Sequence, residues 1–202
     1  MTRPLKYLHP LLLAVGVVAI YAQTRAFELI NLDDLIYADR HGPVGAGLSL
    51  ANLSWAFSRE AAARASCWFP LTHLSYMASF SCLGGSAGTL HLENAALHVV
   101  ATVLVYALLL ALLAPVRAGR RDAAMAFCAF AAAAFWGWHP LRVEAVAWVA
   151  SRKDLLCTPL YVLGLLLSLR AGESGRGRWA KAAVPAVFVL ALLAKPTAVS
   201  FP

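Results

Sequence analysis

The sequence predicts an all-α, polytopic membrane protein, and three observations carry that prediction. Hydrophobic residues make up 61% of the 202-residue chain, well above the roughly 45–50% usual for soluble domains. Only 13% of the residues are charged. The apolar residues are gathered into blocks, and Lys and Arg fall between the blocks. A formal net charge of +7 would point to nucleic acid in a soluble protein. Here it reads as a topology signal, and no nucleic-acid partner is implied.

About five spans are expected. The first, about 8–22, is short against the roughly 20 residues a bilayer requires. Its basic start and short apolar core also suit a signal peptide, but Tyr21, Gln23 and Thr24 make no small-residue cleavage pattern, and more spans follow. The second, about 92–114, contains VVATVLVYALLLALLA, the strongest apolar run in the chain. The others cover about 123–138, 155–169 and 180–194.

Orientation follows from the placement of Lys and Arg. Arg3, Lys6, Arg117, Arg120, Arg121, Arg170, Arg176, Arg178 and Lys181 fall in one set of short loops, opposed only by Asp122 and Glu173. The alternate segments hold the remaining basic residues and the remaining acids in equal number. Short loops rich in Lys and Arg stay cytoplasmic. The N-terminus is therefore expected inside, with the mixed-charge segments on the extracytoplasmic face. An Ala- and Arg-rich composition leans the assignment towards a bacterial inner membrane, the endoplasmic reticulum being the eukaryotic counterpart.

The first outer loop, 23–88, carries NLDDLIYADRHGP at 31–43, which places three carboxylates, Asp33, Asp34 and Asp39, in a chain with ten acids. LSLANLSWAFS and WFPLTHLSYMASF follow, with apolar residues near helical spacing, and read as short interfacial helices. Cys67 and Cys82 share this loop and would be free to pair in an oxidising compartment. Cys128 and Cys157 sit in apolar spans as small hydrophobes.

The second outer segment is HPLRVEAVAWVASRKD, 139–154. Read as one helix, it puts Glu144, Trp148, Ser151 and Arg152 on a common face and Arg142 and Lys153 on another. Arg152, Lys153 and Asp154 would be costly in lipid, so this segment, His139 included, is expected to line a hydrated cavity at the membrane surface. Lys195 also falls outside, in AKPTAVSFP.

Adjacent Asp33 and Asp34 suit two tasks. One carboxylate can act as a general base towards an attacking hydroxyl, or the pair can hold a divalent cation through oxygen ligands. Arg152 suits bidentate contact with a phosphate, and Lys153 suits a point-charge contact. Structural readings stand beside these. Asp33 or Asp34 would cap a helix starting at Leu35, and Glu144 would pair with Arg152 or Arg142. His91, Asn94 and His98 share a helix face and would be hydrogen-bonded between helices rather than bind a metal. Lys195 would snorkel at a helix end.

NLDDLIYADRHGP, WFPLTHLSY, HLENAALH, HPLRVEAVAWVASRKDLL and LLAKPTAVSFP, in this order, resemble the membrane half of the transmembrane and tetratricopeptide-repeat O-mannosyltransferase family. The resemblance covers nearly the whole chain. It implies a partial GT-C glycosyltransferase fold in which a polyprenyl-phosphate donor in the membrane lipid gives a mannose-like sugar to a protein or glycan acceptor. The acidic pair of the first external loop, the catalytic signature of that fold, maps onto Asp33 and Asp34. The chain has about half the spans usual for the fold and lacks repeats of about 34 residues, which implies a fragment or a second chain supplying the missing helices. A non-catalytic scaffold would keep the outer acidic and basic groups apart. A transporter would need ionisable residues near the middle of the spans, where this chain has few.

Overall fold

The computed structural model describes residues 3–114, 122–172 and 177–201, and among them all regular structure is helical. Of the residues in the orientation argument, Arg117, Arg120, Arg121, Glu173 and Arg176 lie outside the described residues.

Helix α1 (Arg3–Tyr21) continues into a 3-10 turn, Ala22–Ala26. The outer loop then folds into four helices: α2 (Asp34–Tyr37), α3 (Leu50–Ala56), α4 (Arg59–Arg64) and α5 (Pro70–Leu83). Helix α6 (Ala87–Leu113) and helix α7 (Asp122–Gly137) follow. A 3-10 turn at Pro140–Arg142 leads to α8 (Val143–Ala147), and a second at Val149–Ser151 leads to α9 (Arg152–Ala171). Helix α10 (Gly177–Ala194) ends in a last turn, Pro196–Ser200.

Among the described residues, three helical stretches are long and apolar enough to cross a bilayer: Tyr7–Ala26, Ala87–Leu113 and Val149–Ala171. A fourth forms if Ala123–Gly137 is joined to Pro140–Ala147 across a 52° bend, while Trp179–Ala194 is apolar but shorter. The bend falls just before Pro140, which cannot donate a helical hydrogen bond. The chain is thus an all-α integral membrane protein.

Local chemistry sets the outer helix boundaries. Ser49, Ser58 and Ser86 each accept the backbone N–H of the third residue of the helix that follows, at 3.1, 3.2 and 3.2 Å, the usual N-cap bond. Pro70 opens α5, where its missing N–H costs nothing. Gly84 closes it at φ 75, a left-handed conformation that glycine adopts without Cβ strain.

Helix α6 is central, packing against α1, α7 and α9, and α9 in turn packs against α10. Fully buried Ala129 and Ala133 on α7, and Ala191 and Ala194 on α10, keep these helices close, as small residues do in membranes. Buried His9 on α1 meets the Tyr106 hydroxyl on α6 at 3.0 Å. The 23–88 segment, together with Leu90 of α6, has its own core of Tyr37, Val44, Phe69, Tyr76, Met77 and Leu90, closed by Val149 and Ala150. Folded outer layer and span bundle are therefore joined through the 149–151 turn.

Candidate functional site

The segment 139–154 is not one helix. Trp148 adopts an extended conformation (φ −81, ψ 118) between α8 and the 149–151 turn, so the common face expected for Glu144, Trp148, Ser151 and Arg152 does not form. The break has a physical cause: the backbone here is claimed from outside. The Asn94 amide donates to the carbonyl of Trp148 at 3.1 Å, the Tyr76 hydroxyl donates to that of Val149 at 2.5 Å, and the Ala150 N–H donates to Asp34 Oδ1 at 2.7 Å.

That last bond joins the acidic loop to the second outer segment across 116 residues, and it separates the two aspartates. Asp34 is 0% exposed. Its Oδ2 accepts the Ile30 N–H at 2.9 Å and its Oδ1 the Ala150 N–H, so both oxygens are engaged by charge-assisted bonds. Asp33 sits at the N-cap position of α2 without making a side-chain cap bond. It is half-buried and, among the described residues, its carboxylate has no hydrogen bond or ion pair. Neither aspartate makes the side-chain cap bond that the sequence allowed.

Two adjacent basic residues divide in the same way. Arg152 is 2% exposed. Its Nε donates to Asn94 Oδ1 (3.1 Å), its Nη1 to Ser79 Oγ (2.7 Å), and its Nη2 to the Leu90 carbonyl (3.0 Å) and Glu93 Oε2 (2.7 Å). The guanidinium also lies 4.3 Å from the Tyr76 ring centre. Four of its five N–H donors are consumed inside the protein, so the phosphate fork expected of Arg152 is not on offer. Helix α9 can begin at this charge because α5 and α6, not lipid, surround it. The ion-pair partner is Glu93, not Glu144.

Lys153 instead reaches outward over Tyr37 (4.5 Å) and Trp148 (5.9 Å), with one hydrogen bond, to the Ala150 carbonyl at 3.1 Å. The Asp33 carboxylate and the Cys67 thiol lie within electrostatic reach of it. Burial, with the Asp33 carboxylate beside it, pushes the Tyr37 hydroxyl up to about 12, so Tyr37 stays a neutral donor. Lys195 pairs with Asp154, more than the snorkelling expected of it. Beside that pair lies a cleft of about 320 Å³ lined by hydroxyls, those of Thr158, Tyr161, Thr197 and Ser200.

The remaining expected site residues are spread around this centre. His139 Nδ1 accepts the Leu141 N–H at 3.2 Å and so caps its own turn. Arg142 stacks 4.6 Å over Trp136. Glu144 is exposed and lines a separate pocket with Glu28, His91 and Trp148. Asn94 and His98 are hydrogen-bonded between segments as expected, His98 Nε2 to the Gly137 carbonyl at 2.8 Å. His91 is not: it is 2% exposed, and neither ring nitrogen has a hydrogen-bond partner among the described residues. Cys67 and Cys82 are free thiols.

The aspartate pair does not fit a chelated metal. Both Asp34 oxygens already face N–H donors, which leaves the Asp33 carboxylate alone. Among the described residues no group of three or more His, Cys, Asp or Glu could hold an ion.

Sequence reasoning missed Glu93, Ser79 and Tyr37. A lone Glu at the start of an apolar span is the signal that could have found Glu93, since such a charge requires a partner.

Fold and site together define a class: an integral membrane protein in which an open carboxylate, Asp33, lies within electrostatic reach of a lysine, Lys153. Two curated relatives align with most of the chain. Protein O-mannosyl-transferase Tmtc2 of Drosophila melanogaster is 35% identical over 174 residues, covering 82% of this chain and 17% of that protein. Protein O-mannosyl-transferase Tmtc1 of the same organism is 33% identical over 175 residues, covering 82% of this chain and 19% of that protein. The chain belongs to this transmembrane and tetratricopeptide-repeat O-mannosyltransferase family, and it spans less than a fifth of the length of either relative. No protein-family model matches the chain, and no solved structure matches it significantly.

Proposed function

We propose that this chain carries part of a glycosyltransfer centre on the extracytoplasmic face, in a bacterial inner membrane, moving a mannose-like sugar from a polyprenyl-phosphate donor to a protein hydroxyl. Asp33 is the general base, and Lys153 meets the donor phosphate with Lys195 close to it. Asp34 is a positioning residue that fixes the loop bearing Asp33. The observation that carries this reading is the contrast between the two carboxylates: Asp34 is saturated with backbone donors, whereas Asp33 is free beside a lysine.

In the step, the acceptor O–H gives its proton to Asp33 while its oxygen forms a bond to the anomeric carbon. The bond from that carbon to the phosphate oxygen breaks, and the electron pair leaves with polyprenyl phosphate. Lys153 offsets the charge that grows on the departing phosphate. The Tyr37 and Trp148 rings hold the ammonium in place from below.

The test is radiolabelled mannose transfer from a polyprenyl-phosphate donor, in membranes carrying this chain within an active full-length protein. Asp33→Asn should lower transfer by about 10²–10⁴-fold, the range for a lost general base, at unchanged protein level. Transfer at the unsubstituted rate would remove Asp33 from the mechanism.

A further inference from the structure

Glu93 leaves one carboxylate oxygen unused. Its Oε2 accepts the Ser79 hydroxyl at 2.6 Å and an Arg152 Nη2–H at 2.7 Å. Its Oε1 has no hydrogen bond or ion pair among the described residues, and it is not sealed inside the protein. The side chain, 23% exposed, opens into a groove of about 430 Å³ between α5, α6 and α9, walled by Cys82, Leu83, Leu97, Val100 and Leu156. Leu83 and Val100 are exposed, so the groove runs along the outside of the bundle. With α6 centred in the bilayer, the rise of a helix puts Glu93 about 10 Å from the midplane. That is inside a hydrocarbon half-thickness of about 15 Å.

A carboxylate oxygen left bare at that depth is costly, and its surroundings select what covers it. Arg152 stands behind Glu93, but it is 2% exposed and directs its donors at Asn94, Ser79, Leu90 and Glu93. A lipid phosphate entering the groove therefore meets the Glu93 oxygen and is repelled. An ammonium with N–H donors is attracted and hydrogen-bonded there. The apolar walls suit a hydrocarbon chain. One helical turn, about 10 Å wide and about 5.4 Å long, would fill the groove, so the space fits a chain and a small headgroup better than a further span.

We infer that this groove binds one membrane lipid with a primary ammonium headgroup, of the phosphatidylethanolamine class. The ammonium donates to Glu93 Oε1, and an acyl chain lies along Leu97, Val100 and Leu156. The lipid completes the Arg152–Glu93–Ser79 network from the membrane side. This site is distinct from Asp33 and Lys153, and it stands whether or not those residues transfer a sugar.

Lipid retention can be read without transfer. The chain in detergent is mixed with equal amounts of phosphatidylethanolamine, phosphatidylcholine and phosphatidylglycerol of the same acyl chains, and bound lipid is counted by native mass spectrometry. One phosphatidylethanolamine should be retained, at least about tenfold over the other two, since the choline headgroup keeps the charge but has no N–H and the glycerol lipid is anionic. Glu93→Gln should lower its retention to the phosphatidylcholine level. Val100→Trp, at a position 49% exposed, fills the groove with the Arg152–Glu93 pair intact and should also expel the lipid. That variant keeps the test sound if Glu93→Gln fails to fold. Equal retention of the three lipids, or retention unchanged by Val100→Trp, overturns the inference. Displacement of the bound lipid by polyprenyl phosphate would give the groove to the sugar donor and overturn it as well. Asp33→Asn should retain the lipid normally, so loss of this site and loss of the Asp33 role are separate results.

Discussion

Two neighbouring regions use the same residue types in opposite ways. At the junction of α5, α6 and α9, the polar groups of Arg152, Glu93, Asn94 and Ser79 meet one another and the backbone. Beside it, among the described residues, the Asp33 carboxylate has no hydrogen bond or ion pair and Lys153 has one hydrogen bond. The first region shows how a charge is made tolerable inside a bundle: four of the five guanidinium N–H donors are supplied with acceptors from the protein itself. The second holds the groups that this satisfaction leaves over, and those are the ones available for chemistry.

The contrast is easiest to break at its most buried member. Arg152→Met strips Glu93, Asn94 and Ser79 of their partner and should cost about 3–5 kcal/mol, the usual penalty for breaking a buried pair. Lys153→Met, one residue on, should cost about 1 kcal/mol or less, mostly lost ring contact. Thermal unfolding of the two variants in detergent measures the difference, and equal losses would erase the distinction.

His73 sharpens the comparison, because it is buried with no hydrogen-bond partner among the described residues. It is 1% exposed among Tyr37, Trp55 and Phe69, and both ring nitrogens lack hydrogen bonds. Burial, aided by the Arg64 charge, lowers it from 6.5 to about 4. Between those values the unfolded chain binds the proton and the folded chain does not. Stability is therefore complete above pH 6.5, declines as the pH falls to about 4, and levels off below, with a total on the order of 3 kcal/mol. His73→Phe should flatten that part of the stability profile relative to the unsubstituted chain, and identical profiles would contradict the assignment.

The smallest effect lies between the aspartates. Asp34→Asn turns one acceptor into a donor facing a backbone N–H, an unsatisfied contact worth about 1–3 kcal/mol. The loss should appear as faster proteolysis of the 31–45 loop. Asp33→Asn should leave proteolysis unchanged, since its carboxylate holds nothing in place. Parallel digestion of both variants decides it.

Much of this was legible along the chain. The helical class follows from apolar blocks, and the enrichment of Asp, Glu, Arg, Lys, His and Trp in the outer segments follows from composition. The pairing of Asn94 and His98 between segments was also readable, because polar residues on an apolar helix face need partners. Other features were not: the break at Trp148 depends on the Asn94 and Tyr76 side chains, which claim carbonyls 54 and 73 residues away. No local pattern in VEAVAWVAS carries that information.

Hydropathy and charge are properties of residues in order, so the sequence by itself determined the all-α membrane class and which segments gather the charged and aromatic residues. Tertiary structure alone decided which member of Asp33–Asp34 and of Arg152–Lys153 is consumed and which is left open. Successive residues on a helix point about 100° apart, and the groups that bury Asp34 and Arg152 arrive from 116 and 58 to 73 positions away.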